Sequence, residues 1–174
     1  MKAKYSLSFL LALLLPGVAP AGEGAGTPTV VHGGATFTPD GANLTVNTTS
    51  HRTIINWDHF GVPANSLTQF VQPGVTSATL NRVTGPLPSR IDGTLTSNGA
   101  VYLMNRAGVV VGAEGVIRAD GGFVASTLDL LDANFVNGGA MRFMGDPNAG
   151  DIVAHGLIES AKGDVFLKIG RAHV

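Results

Sequence analysis

The sequence predicts an all-β fold, a parallel β-helix with an N-terminal cap, and three observations carry that prediction. The first is composition. Of the 174 residues, 24 are glycine and 13 % are charged, against roughly 7 % glycine and 25 % charged in an average soluble domain. Polarity is supplied instead by Thr, Ser and Asn, so turn formers and β-branched strand formers dominate. The second is a repeat. Segments 93–103, 115–125 and 156–167 read GTLTSNGAVYL, GVIRADGGFVA and GLIESAKGDVFL, each with a leading glycine, an aliphatic alternation, a turn and a second short apolar strand. Their starts lie 22 and then 41 residues apart, one period of about 20 followed by two, as in a solenoid with one supersecondary unit per coil. The third is the period-2 alternation inside each strand, which gives one inward and one outward face.

The elements follow in chain order. Residues 1–21 place Lys2 and Lys4 ahead of a short apolar core that closes on Ala19-Pro20-Ala21, the layout of a secretory signal peptide. That core is shorter than the ~20 apolar residues of a bilayer span. Residues 22–52 show no period. Strands are expected near 29–32, 35–38 and 43–47, separated by Gly33-Gly34 and Pro39-Asp40-Gly41, and they read as a cap because the first coil of a solenoid has an open edge to cover. Residues 53–168 carry the coils. Asn98-Gly99, Asp120-Gly121 and Lys162-Gly163 mark corners, while Leu95, Val101, Leu103, Ile117, Phe123, Ile158 and Val165 are expected inside and Thr, Ser, Arg and Glu outside. AVYLMNRAGVVVG (100–112) reads as two strands of one coil, with Asn105 and Gly108 turning the corner. STLDLLDANFVNG (126–138) alone has helical spacing, at Leu128, Leu131 and Phe135, and is expected to leave the coil as a short excursion. A sandwich of hairpins would use the same Asn-Gly corners but gives no reason for the long self-similarity.

Charge and cysteine content exclude several classes. Without Lys2 and Lys4 the formal charge of −1 becomes −3, and no basic cluster exists, so nucleic acid and anionic lipid are poor partners. Cysteine is absent, which leaves packing as the source of stability. The acids Asp129 with Asp132, and Asp146 with Asp151, fall at no equivalent positions one coil apart, unlike the paired carboxylates of a hydrolase. His32, His51, His59 and His155 lack metal-ligand spacing. GVVVGAEG (108–115) has the glycines of a nucleotide loop but no lysine-hydroxyl pair. Neither a metal nor another cofactor is expected. Trp57, the single tryptophan, is expected as a buried anchor.

The order of IINWDHFGV (54–62), QFVQP (69–73), LNRVTG (80–85), SNGAVYLMNRAGVVVG (97–112) and GFVASTLDL (122–130) resembles the filamentous haemagglutinin N-terminal domain, the two-partner-secretion (TPS) domain at the head of large bacterial exoproteins. The resemblance implies a right-handed parallel β-helix that is not an enzyme. It implies a chain that leaves the Sec translocon unfolded, engages the periplasmic POTRA domains of an outer-membrane TpsB-type transporter, and folds at the surface of a Gram-negative-type bacterium or in the medium. Folding would pull secretion forward, and the activity of the whole protein, adhesion or contact-dependent toxicity, would lie farther along. The pattern Asn-Pro-Asn-Gly-Ile of that family is here Asn105-Arg106-Ala107-Gly108-Val109, so the corner keeps its first asparagine and its glycine and loses the proline and the second asparagine.

On this reading Asn56, Asn81, Asn105 and Gly108 are the candidate transporter-contact residues, within patches 56–65 and 81–85. Trp57, Asn98, Gly99, Leu103, Gly121 and Phe123 are the candidate turn and core residues. A monomer is expected. A small β-helix enzyme on carbohydrate and a short structural surface protein are the alternatives. Residues 168–174, KIGRAHV, are what AAG ATC GGA AGA GCA CAC GTC encodes, the start of a common sequencing adapter, so residues 169–174 are expected to be adapter-derived and the natural chain to be longer.

Overall fold

The computed structural model describes residues 24–145 and 148–170; the leader expected at 1–21, Asp146 and the last four residues lie outside them. The chain enters through β1 (Pro28–His32), β2 (Ala35–Asp40) and β3 (Asn43–Thr48). A first coil follows with β4 (Arg52–Trp57) and β5 (Leu67–Val71), a second with β6 (Ala78–Val83), β7 (Ser89–Ile91) and β8 (Thr94–Ser97), and a third with β9 (Ala100–Asn105), β10 (Val109–Val111) and β11 (Val116–Ala119). The fourth runs from β12 (Phe123–Ser126) through β13 (Asp129–Leu130), α1 (Asp132–Asn137) and β14 (Phe143–Met144) to β15 (Ile152–Ala154) and β16 (Leu157–Glu159), and β17 (Val165–Lys168) opens the next.

Like strands stack into the walls of a parallel β-helix. One wall is ordered β1-β4-β6-β9-β12-β17, a second β7-β10-β15, and a third β2-β3-β5-β8-β11-β16. Pairing between coils is parallel, with Thr79, Val101, Phe123 and Val165 in one inward column. The cap departs from this. β1 lies antiparallel on β4, and β2 lies antiparallel on β3, which itself runs parallel to β5. Strands at a bare solenoid end would expose unpaired backbone groups, and these antiparallel additions occupy that edge.

Two apolar clusters hold the walls. The interior one joins Trp57, Phe70, Ile91, Leu95, Val101, Leu103, Ile117 and Phe123, all essentially inaccessible to solvent. The other lies outside the first wall, where Ile54, Leu80, Met104 and Val124 meet Leu130 and Phe135 of the excursion. β4, β6, β9 and β12 of that wall are therefore buried on both faces.

Several expectations need correction. The 41-residue spacing is one coil, since β16 pairs directly with β11 through Val116 and Leu157; the excursion at 127–150 supplies the extra length. Its helix is only Asp132–Asn137, and Phe135 is its buried residue. Leu131 is exposed and Leu128 precedes β13, whose antiparallel pairing with β14 ends the helical spacing on that side. Val165 occupies the inward column but is 40 % exposed, because no described strand covers β17; Ile158, in β16, is half-buried for the same reason. Polar residues also face inward. Thr53, Thr79, Asn81, Ser89 and Ser97 are buried.

Candidate functional site

Among the transporter-contact candidates, Asn105 and Gly108 sit at the corner where the first wall turns into the second, while Asn56 and Asn81 lie within β4 and β6 of the first wall. Asn81 follows Leu80 in β6 and pairs with Ile55 and Leu103, so its side chain points inward. It is fully buried. Trp57 Nε1 donates to Asn81 Oδ1 at 3.0 Å, and Asn81 Nδ2 donates to the Tyr102 carbonyl at 3.3 Å. A buried indole N–H or amide needs such a partner, since an orphaned one costs about 1–3 kcal/mol. Trp57 in turn packs edge-on against Phe37 and Phe60, with ring centroids 5.5 and 5.2 Å away.

Asn105, one coil on from Val83, is also buried. Its Nδ2 donates to the Leu87 carbonyl and to Ser89 Oγ, both at 3.0 Å, while its Oδ1 accepts from the Ala107 amide at 2.9 Å. That last bond is an Asx turn, and the Gly108 amide closes it on the Asn105 carbonyl at 3.1 Å. Gly108 has φ of +122°, a conformation that side chains resist. The corner thus keeps its geometry with Arg106 and Ala107 at its tip.

The opposite corner is built on Gln72. Its amide donates to Asn98 Oδ1 at 2.7 Å, and Asn98 Nδ2 returns a bond to the Gln72 carbonyl at 2.8 Å. Gln72 Nε2 donates to Ser97 Oγ and the Ala100 carbonyl, both at 2.9 Å, and the Gly99 amide donates to Ser97 Oγ at 3.1 Å. Gly121 stacks on this corner through its amide and the Gly99 carbonyl. A Cβ at Gly121 would collide with the Val75 carbonyl oxygen and the Ala100 nitrogen, so close coil stacking requires glycine there. Leu103 and Phe123 lie in the interior cluster.

Only Asn56 among the four contact candidates retains exposure, and it leads to a residue that sequence reasoning missed. Arg82 Nη1 donates to Asn56 Oδ1 at 3.5 Å, Nε to Asp129 Oδ1 at 2.8 Å and Nη2 to the Leu130 carbonyl at 2.6 Å, with Asp132 Oδ1 also 2.8 Å from Nη2. Burial works against the Arg82 charge, but the hydrogen bonds to Asp129 and Asp132 outweigh it and raise its pKa. Asp129 and Asp132 are thereby committed to holding the excursion. The available signal was Arg82 sitting in an otherwise apolar alternation, with two acids three residues apart downstream.

Little here resembles a reaction centre. Among the described residues no three of His, Asp and Glu converge on a possible metal position. Asp58 is held below the usual carboxylate range by the His59 amide, with a further bond from the Thr27 amide at 2.7 Å, which fastens the incoming chain. No helix among the described residues is long and apolar enough to cross a membrane.

Comparison with known proteins decides the family. A family model described as the TPS secretion domain matches residues 24–173. The chain belongs to the TPS secretion domain family. This secretion domain is 36 % identical over 131 residues to the heme/hemopexin-binding protein of Haemophilus influenzae, covering 74 % of the chain and 14 % of that relative. A second heme/hemopexin-binding protein of the same species is 36 % identical over 87 residues, covering 50 % and 9 %. The crystal structure of the HMW1 secretion domain from Haemophilus influenzae superposes with a TM-score of 0.76 at 37 % identity, covering 83 % of this chain and 39 % of that one. The TPS domain thus corresponds to a small part of its curated relatives' length. Proteins of this family are secreted exoproteins of Gram-negative bacteria, and the β-helix is the fold shared with HMW1.

Proposed function

We propose that this TPS domain addresses a larger exoprotein to an outer-membrane TpsB-type transporter, and that the transporter's periplasmic POTRA domains read the chain before it folds. The burial of Asn81, Asn105 and Gly108 carries the reading. Residues sealed inside a finished coil offer nothing to a partner, whereas the same residues in an extended chain are open to pairing. Their second role, as the polar corners that let each coil close, then makes the address disappear as folding proceeds. In this scheme the chain passes the Sec translocon behind its leader, threads the barrel, and folds as a monomer at the cell surface or in the medium. It acts without chemistry, and Asn56 is the one contact candidate that stays accessible afterwards.

The test is binding to isolated POTRA domains of the cognate transporter. Chain diluted from denaturant should bind at least ~10-fold more tightly than chain already folded, a difference of about 1.4 kcal/mol. Equal binding by the folded domain would overturn the proposal.

A further inference from the structure

We infer that Arg82 is a positioning residue that docks the excursion as a strap across the coils, making residues 52–137 one cooperative folding unit rather than a stack that assembles coil by coil. A solenoid in which each coil touches only its neighbours behaves as a one-dimensional array, and folding can stop at any interface. This chain breaks that rule. The excursion leaves from β12, yet α1 reaches back over the first wall to the first coil. Phe135 is buried against Tyr102 of β9, centroids 5.3 Å apart, and beneath the guanidinium of Arg52 in β4 at 5.2 Å. Ile54, Leu80, Met104 and Val124, one from each of four successive strands, share a cluster with Phe135 and Leu130. Arg82 fixes where the strap lands, because its fork engages Asp129, Leu130 and Asp132 together while also reaching Asn56 of the preceding coil. Lysine would keep the charge and lose that fork.

The inference does not depend on how a transporter reads the chain. Native-state hydrogen exchange on the whole chain tests it, because amides that open together report one unit. In the unaltered protein the slowest amides of β4 and β12 should converge on one exchange rate as denaturant rises. Arg82→Ala and Phe135→Ala should split them, with β12 exchanging at least ~10-fold faster than β4. Leu95→Ala, in the interior on another wall, should accelerate both equally. Should Arg82→Ala or Phe135→Ala fail to fold, Asp132→Asn, at a half-exposed partner, should give a smaller split of the same sign. Two rates in the unaltered protein, or uniform acceleration by the strap variants as for Leu95→Ala, would overturn the inference.

Discussion

The capped first coil and the last described strand of the solenoid are built differently. At the N-terminal end β1 and β2 lie antiparallel over the first coil, with Pro39 and Asp40 on the outer strand. Proline and charge on an edge strand discourage further pairing. Behind that edge Phe37, Trp57, Phe60 and Phe70 form a continuous run of ring contacts. β17 carries the same inward column as β9 and β12, yet every residue of it is exposed. Leu157, Phe166 and Leu167 are 44, 57 and 46 % accessible. The first coil is finished by chain reversal and aromatic packing, whereas β17, the last described strand, continues the parallel columns without proline.

Substitutions can break or sharpen that contrast. The largest effect is expected at Val101→Asp, where an inward, inaccessible position would hold a charge at a cost of several kcal/mol, comparable to the about 5–15 kcal/mol that holds a domain together; circular dichroism should show no folded protein. Trp57→Ala should cost about 3–5 kcal/mol in denaturant unfolding, more than any single change in β17, because it removes the ring contacts and leaves Asn81 Oδ1 without its donor. Asn81→Ala should cost about 1–3 kcal/mol by leaving the indole N–H unsatisfied, and this loss should shrink when combined with Trp57→Phe. Phe166→Ser, in β17, should change stability by no more than about 0.5 kcal/mol. The smallest effect belongs to Asp58. Its folded pKa is depressed, chiefly by the His59 amide, so its stabilising contribution is present above the unfolded carboxylate pKa and is lost as pH falls through the folded value. Asp58→Asn should accordingly lower stability slightly in the neutral region, converge on the unaltered protein in acid, and so flatten the acid limb of a stability-against-pH curve.

Much of the fold was legible because coils repeat. Gly93, Gly115 and Gly156 immediately precede β8, β11 and β16, which stack in register, and the Asn98-Gly99 and Asp120-Gly121 corners follow from the same periodicity. The inward or outward sense of β4, β6 and β9 was not legible. Alternation reveals a strand's faces only when one of them meets water, and here Ile54 and Ile55, on opposite faces, are both inaccessible. That is why Asn81 reads as a surface asparagine in sequence and is buried in the structure. The strap was also hidden: its contacts with β4 and β9 join residues about 30 to 80 positions apart in no repeating register, and its helix is too short to show a full amphipathic period. The Asx turn at Asn105 was readable, because that residue type with Gly108 three positions on dictates local geometry whatever surrounds it.

Folding of this leading region, which we propose draws the chain outward, is tested most directly by paired secretion of Leu103→Asp and Leu167→Asp. Both residues lie in the same inward column of the first wall, one sealed and one exposed in β17. In cells carrying the cognate transporter, with the 174-residue chain as cargo, Leu167→Asp should reach the medium at a level close to the unaltered protein and Leu103→Asp should not. Equal secretion of the two variants would contradict the account.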